Sequence, residues 1–388
     1  MDRDELGAWL RLATTKGVGN QAARKLLAAF GLPDGIFAQP EATLGQWVTP
    51  RQAQALGTPP AEWLDLLETT WLWLQATDTP DGVTRDIITL GDPRFPQKML
   101  DTEDPPLMLY VMGAPALVHG TPFCEGQCLA VVGSRNPTAQ GADNAYQFAK
   151  ALRAAGLTIV SGLALGVDAA AHEGALADVA PGDGMAQAAT IAVVGTGLDR
   201  VYPSKHLALA HRIARHGLLV SEYPLGTPPL AANFPKRNRI ISGLSQGTLV
   251  VEAALASGSL ITARMASEQG REVFAIPGSI HAPQSRGCHA LIKQGAKLVE
   301  SAQDVLEECR WSATPRAPEA VADDAPTTPA TAESPLLQAM GYDPVGLDAL
   351  VSRTGLDTAS LQVQLLELEL DGAIARLPGA LFQRIGRG

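Results

Sequence analysis

Between Leu129 and Gly278 the chain repeats one unit: a short apolar run, a small polar turn, then a stretch of helical character. The apolar runs are Leu129–Val132, Leu157–Val160, Thr190–Val194, Leu218–Val220, Thr248–Val251 and Val273–Ile276. Each is too short for a helix and lacks polar–apolar alternation, so each reads as a strand covered on both faces. Strands of this kind with helices between them specify a parallel sheet, because parallel neighbours need long crossovers. The expected fold class is therefore α/β, a doubly wound Rossmann-like parallel sheet domain. Its ligand belongs in the crevice beyond the carboxyl ends of the strands. The turns Gly133-Ser134-Arg135, Ser161-Gly162, Gly195-Thr196-Gly197 and Ser221-Glu222 all fall there.

A chain of 388 residues holds about two or three domains. Net charge is −10, and it is unevenly divided. Residues 1–127 carry 9 Lys+Arg against 16 Asp+Glu, residues 128–310 carry 16 against 14, and residues 311–388 carry 5 against 10. A polyanion site therefore belongs in the middle segment, where acidic neighbours repel it least. No apolar run reaches the roughly 20 residues of a membrane span. The acidic start, Met1-Asp2-Arg3-Asp4-Glu5, lacks the layout of a signal peptide. A soluble cytoplasmic protein without membrane contact is expected. Cys124, Cys128, Cys288 and Cys309 are too scattered for a disulfide framework or a zinc set, so they are expected to be reduced and structural.

The flanks differ from the centre. In residues 1–84 the hairpin Lys16-Gly17-Val18-Gly19-Asn20 separates two helical runs, a helix-hairpin-helix pattern that can turn backbone N–H groups toward phosphate or serve only as packing. Trp63, Trp71 and Trp73 read as core residues of further helices. Ala180–Ala188 reads as a surface insertion in the α/β domain at 85–310. Residues 311–334, rich in Ala, Pro and Thr, form a flexible linker. Residues 335–388 read as helix, turn, helix and hairpin, a small winged helix. Its second helix carries Glu367 and Glu369, which suits a protein contact better than the DNA major groove.

Several enzyme signatures fail. No lysine follows a glycine, so the phosphate-cradling loop of P-loop ATPases is absent. Gly195-Thr196-Gly197-Leu198-Asp199-Arg200 lacks the third glycine of the dinucleotide fingerprint. Gly243-Leu244-Ser245-Gln246-Gly247 matches a hydrolase elbow, but it follows a helix and precedes a strand, the reverse of what exposes the serine. Asp168 and His172, one turn apart, read as a helix cap and its packed partner rather than a catalytic pair. No cofactor, metal or catalytic residue is expected.

The most informative stretch is Asn233-Phe234-Pro235-Lys236-Arg237-Asn238-Arg239. Pro235 fits a first helical turn. Three cations, Lys236, Arg237 and Arg239, then crowd the positive end of a helix, which makes sense only if an anion offsets them. Phe234 stands beside them. Cations for phosphates and a ring for any base are what single-stranded nucleic acid requires. Gly133, Ser134 and Arg135 add a cation and open backbone at the same sheet edge, and Ser257, Gly258 and Ser259 add hydroxyl donors before a helix.

Taken in order, VVGSRNPT, SGLALGVDAAAHEGAL, GTGLDRVYPSKH, SEYPLG, NFPKRNRIISGLSQGTLVVEA, SGSLITARMASEQGREVFAIPG and LIKQGAKLV resemble the DprA/Smf family of DNA-processing proteins, across roughly residues 85–305. The resemblance implies a cytoplasmic, non-enzymatic protein of natural transformation. It would bind and shield incoming single-stranded DNA, load RecA onto it, and work as a homodimer through the Rossmann-like domain. It implies DNA contact by Arg135, by Phe234 and by the Lys236–Arg239 cluster. Ala231 stands where some relatives carry a basic residue, and Lys205, beside the Tyr202-Pro203 turn, stands near a DNA-contacting lysine of others. The flanks fit the family's SAM-like or helix-hairpin-helix start and its winged-helix tail. Ala282–Leu298 is the expected dimer surface.

Two other readings compete. Gly247-Thr248-Leu249-Val250-Val251-Glu252 loosely resembles the Gly-Thr-x-x-Glu element of nucleotide phosphoribohydrolases, but Leu244-Ser245-Gln246 replaces the Pro-Gly-Gly expected before it. A scaffold without nucleic acid leaves the three-cation helix start unexplained.

Overall fold

The computed structural model describes residues 1–76, 82–123, 127–179, 187–309, 335–340 and 344–385. The 311–334 linker, most of the Ala180–Ala188 insertion and Cys124 lie outside them. Six helices open the chain: α1 (Arg3–Thr14), α2 (Asn20–Phe30), α3 (Pro33–Phe37), α4 (Glu41–Leu44), α5 (Pro50–Gly57) and α6 (Trp63–Gln75). Asp2 starts α1 by accepting the Glu5 N–H, and Thr49 starts α5 through a reciprocal capping box with Gln52. Leu6, Trp9, Leu10, Leu26 and Ile36 are buried together, and Trp63, Trp71 and Trp73 pack half-buried against them. This core is continuous with Tyr110 and Leu219 of the neighbouring sheet, so the helical unit shares its apolar face with that sheet.

That sheet has nine strands: β1 (Thr84–Thr89), β2 (Met108–Gly113), β3 (Cys128–Val132), β4 (Thr158–Ser161), β5 (Thr190–Val193), β6 (Leu218–Ser221), β7 (Gly247–Val250), β8 (Glu272–Ala275) and β9 (Lys297–Leu298). Their order is β1-β2-β6-β5-β4-β3-β7-β8-β9. From β6 to β9 all neighbours are parallel, as the apolar runs require. β1 and β2 are antiparallel additions at the β6 edge, so the sheet is mixed rather than wholly parallel. Neither strand shows in the repeat of apolar runs, because an antiparallel pair needs no βα unit.

The helices of this domain are α7 (Pro115–His119), α8 (Ala139–Ala154), α9 (Val167–Ala175), α10 (Leu207–His216), α11 (Asn233–Leu244), α12 (Ser259–Glu268), α13 (Arg286–Lys293) and α14 (Ala302–Glu308). They cover both faces. One face buries Val132, Val160, Ile191, Val220 and Val250 against α11 and α12, and the other buries Leu129, Ile159, Leu249 and Phe274 against α8 and α9. Cys128 and Cys288 are buried, and Cys309 is half-buried.

Beyond the linker, α15 (Pro335–Met340), β10 (Val345–Gly346), α16 (Leu347–Thr354), α17 (Thr358–Leu370), β11 (Ile374–Leu377) and β12 (Leu381–Arg384) make a winged helix. Its strands pair β10-β12-β11, antiparallel throughout, over a core of Leu336, Leu350, Leu361, Leu365, Ile374 and Phe382. Among the described residues no helix is long and apolar enough to cross a membrane.

α8 and α9 meet at Gly174, where a Cβ would come within 3.0 Å of the Tyr146 Cα and closer still to its carbonyl. Replacing a helical glycine by alanine normally stabilises by about 1 kcal/mol. Here the obstacle is backbone and cannot swing aside, so overpacking at about 1–3 kcal/mol should win. Gly174→Ala is expected to lower the urea midpoint, with an unchanged slope.

Candidate nucleic-acid interface

The sheet's winding reverses between β3 and β7: β4, β5 and β6 lie to one side, β8 and β9 to the other. The loops leaving these two strands diverge, and a groove of about 750 Å³ opens between them. Gly133, Ser134 and Arg135 form one wall, Ser257, Gly258 and Ser259 the other, and Phe234, Arg237 and Asn238 of α11 line the space between. Arg135 and Phe234, which the sequence places a hundred residues apart, therefore face one hollow. The Arg135 guanidinium stands 5.8 Å from the Phe234 ring centroid, within cation–π range.

Local chemistry holds each part in place. The Arg135 loop is pinned from behind, where the Val167 N–H donates to the Ser134 carbonyl at 3.0 Å. Gly166, φ +81°, lies directly against that loop, and a side chain there would collide with Pro137 and the Arg135 backbone. Asn233 is buried at the start of α11, and its Nδ2 donates to the Gly195 carbonyl at 3.1 Å. Gly195 lies beneath the Phe234 ring, 3.1 Å from Cδ1 were a Cβ present, so its small size seats the ring. On the opposite wall the Ser257 and Ser259 hydroxyls bond each other at 2.7 Å.

An aromatic residue not singled out from the sequence joins the site. Tyr202 is 49% exposed, lines the groove, and packs against Phe234 with ring centroids 5.6 Å apart and planes tilted by 41°. Its one signal in the sequence was a tyrosine beside a proline in an otherwise polar turn. Ala231 also lines the groove and brings no charge to that wall.

The three cations of α11 part company. Lys236 is exposed, does not itself line the groove although Pro235 and Arg237 on either side of it do, and has no ion-pair partner among the described residues. Arg237 is only 4% exposed: its Nη1 donates to the Gly162 carbonyl at 2.8 Å and also to the Val193 carbonyl. Arg239 points away from the groove and pairs with Glu222 at 2.6 Å and Asp104 at 3.4 Å. The chain itself thus occupies two of the three cations, Arg237 with backbone carbonyls and Arg239 with carboxylates, which corrects the expectation of a single phosphate-binding cluster. Helical geometry explains it, since successive side chains point about 100° apart.

Ser161 and Gly162, expected at the DNA, lie beneath the groove instead. The Ser161 hydroxyl is buried and donates to the Val131 carbonyl, and a Cβ on Gly162 would lie 2.5 Å from Arg237 Nη2. They support the floor and do not line it. Lys205 is exposed but lies outside the groove lining. Asp168 proves to be a clamp within α9 rather than its cap: its Oδ2 accepts the Gly162 and Ala164 N–H groups at 3.1 and 3.2 Å. Burial pushes its carboxyl above the usual carboxylate range, against the pull of nearby Arg237. Burial likewise lowers Arg237 to about 10. His172, packed as expected, has its Nδ1 2.7 Å from the Thr190 hydroxyl, and burial holds it down at about 3. The amino-terminal hairpin is engaged as well: Asn20 Nδ2 donates to Glu222 at 2.9 Å and to Asp104 at 3.3 Å. Among the described residues no cluster of metal-ligating side chains occurs.

The chain is similar to known proteins. A family profile described as DNA recombination-mediator protein A matches residues 86–310, and a DprA winged helix domain profile matches residues 318–380. Protein Smf of Escherichia coli K12 is 41% identical over 336 residues, 86% of this chain and 84% of the relative. Among solved structures, DNA processing protein A (DprA) of Streptococcus pneumoniae superposes with a TM-score of 0.62 at 35% identity, covering 79% of this chain and 98% of that one. The Helicobacter pylori protein, described for its single-stranded DNA binding mode, superposes at 0.50 with 28% identity, covering 59% and 97%.

Arg237→Met would leave Asp168 buried without its cation and two carbonyls without donors. At pH 7 it should destabilise the fold by about 3–5 kcal/mol in urea unfolding. A carboxyl whose folded pKa lies above its unfolded one favours the fold below the unfolded value and loses that contribution as pH rises through the folded one. The deficit should therefore shrink as pH falls from 7 toward 5; a deficit that widens over that range would contradict the assignment.

Proposed function

The chain belongs to the DNA recombination-mediator protein A family, also called DprA or Smf, and from that premise we propose that its groove holds single-stranded DNA. One observation carries the reading: Arg135 and Phe234 face the same hollow at the sheet's switch point, with the second ring of Tyr202 beside them. A duplex keeps its bases stacked inside and offers no ring-accessible face, whereas an unpaired strand can lay a base on Phe234 or Tyr202 while Arg135 and Lys236 meet its phosphates. With so few free cations, stacking and backbone N–H groups must carry much of the affinity. The single-stranded DNA binding mode described for the Helicobacter pylori relative supports the same reading.

In this proposal the protein is a cytoplasmic mediator rather than an enzyme. It shields incoming strands during natural transformation and helps load RecA onto them. Support comes from the family's description as a recombination mediator. Homodimerisation through the Rossmann-like domain, near Ala282–Leu298, fits the outermost strand β9, where Leu298 is exposed at the edge of the sheet. A phosphoribohydrolase would need the glutamate after β7 open to the groove; Glu252 does not line it, and its carboxylate is held by Thr138.

The test is fluorescence anisotropy with matched single- and double-stranded oligonucleotides across a salt series. Single strands should bind more tightly. Arg135→Ala and Lys236→Ala should each flatten the salt slope by about 0.7 log unit per lost phosphate contact. Phe234→Ala should cost about 1–3 kcal/mol of binding with the slope unchanged. Equal binding by all of these variants would refute the assignment.

A further inference from the structure

Glu252 stands just past β7 and outside the groove lining, yet it reaches both ends of the loop that carries Arg135. Its backbone carbonyl accepts the Ser134 N–H at 2.7 Å. Its carboxylate accepts the Thr138 N–H at 3.0 Å and the Thr138 hydroxyl at 2.5 Å. Thr138 is the N-cap of α8, and its Oγ1 in turn accepts the Gly141 N–H at 3.0 Å. The carboxylate is seated in the first turn of a 16-residue helix that has no acidic residue of its own there. Gly141 makes the room: a Cβ at that position would lie 2.6 Å from both carboxylate oxygens. In nucleotide-binding sheets of this winding, the helix after the first strand receives a phosphate at its N-terminus. Here an anion tethered to the opposite strand fills that place.

We propose that Glu252 is a positioning residue of the groove, a clasp across the switch point that fixes the 133–138 loop and so keeps Arg135 over Phe234. The same carboxylate leaves no seat at α8 for inorganic phosphate or a free mononucleotide, which directs the protein toward strands and away from monomers. Anchors at 134 and 138 straddle Arg135, and charge-assisted bonds to Thr138 are the stronger kind. The inference rests on the single-strand reading of the groove.

The experiment uses the full chain with Glu252→Ala and Glu252→Gln. Oligothymidylate affinity is measured in sodium chloride and in sodium formate at equal ionic strength, and amide exchange is followed at Ser134 and Thr138. Losing the charged acceptor should weaken binding by about tenfold or more in Glu252→Ala, while Glu252→Gln, which keeps one acceptor, should stay within about threefold of wild type. Formate can occupy the vacated carboxylate position. It should therefore restore most of the affinity and slow the two amides again in Glu252→Ala, yet act on wild type no differently from chloride. A folded Glu252→Ala that binds like wild type would overturn the proposal, as would a loss that formate relieves no better than chloride. If Glu252→Ala does not fold, Glu252→Asp decides: its carboxylate is one methylene short of Thr138, so wild-type affinity together with unchanged protection of Thr138 in that variant also overturns the proposal. Failure of the single-strand reading would look different: wild type itself would not bind the oligonucleotide, and the exchange measurements would still test the clasp.

Discussion

The connection from β6 to β7 must travel back across β5, β4 and β3, because β7 pairs with β3 on the far side of the sheet's starting point. A crossover of that span needs a helix lying on the sheet, and α11 is that helix. Its amino terminus therefore arrives at the carboxyl edge of the strands, where the β3 and β7 loops part. Three chain segments with no proximity in sequence are brought to one place by the direction of winding alone. No single side chain creates the groove; the side chains decide what it can hold.

The three cations of α11 show how far charge in a sequence can differ from charge at a site. Lys236, Arg237 and Arg239 look like one cationic patch when written in a row. In the fold they serve three tasks: an outward cation, an internal tie to two strand-end carbonyls, and an ion pair on the back of the helix. Arginine suits the buried task because its planar fork satisfies several acceptors at once, which an ammonium cannot do with the same geometry. The surface that remains is only modestly positive, on a molecule whose net charge is −10. Aromatic contact gains importance accordingly, and Tyr202 adds a second ring beside Phe234.

Much of this was legible beforehand, for identifiable reasons. The parallel core showed because strands covered on both faces leave uninterrupted apolar runs such as Leu129–Val132, and the positions of Arg135 and Phe234 followed from where the turns fall. β1 and β2 were not legible: Met108–Gly113 is apolar enough to be a strand, but nothing local says that it joins this sheet antiparallel. The burial of Arg237 was hidden too, since its partners are backbone carbonyls of Gly162 and Val193, which leave no trace in side-chain spelling. Tyr202 escaped notice because its value depends on a neighbour 32 positions away.

The pairing behind α11 has a mechanical consequence. Glu222 takes a hydrogen bond from Asn20 of the opening helices and an ion pair from Arg239 through the same oxygen, and Asp104 bridges the same two residues more loosely. Together with the shared apolar core, these ties couple the helical unit to the sheet among the described residues. Any rotation of the first domain would pull on the helix that carries Phe234. A protein or solvent condition that displaces the amino-terminal hairpin would thus strain the contacts behind the ring-bearing helix.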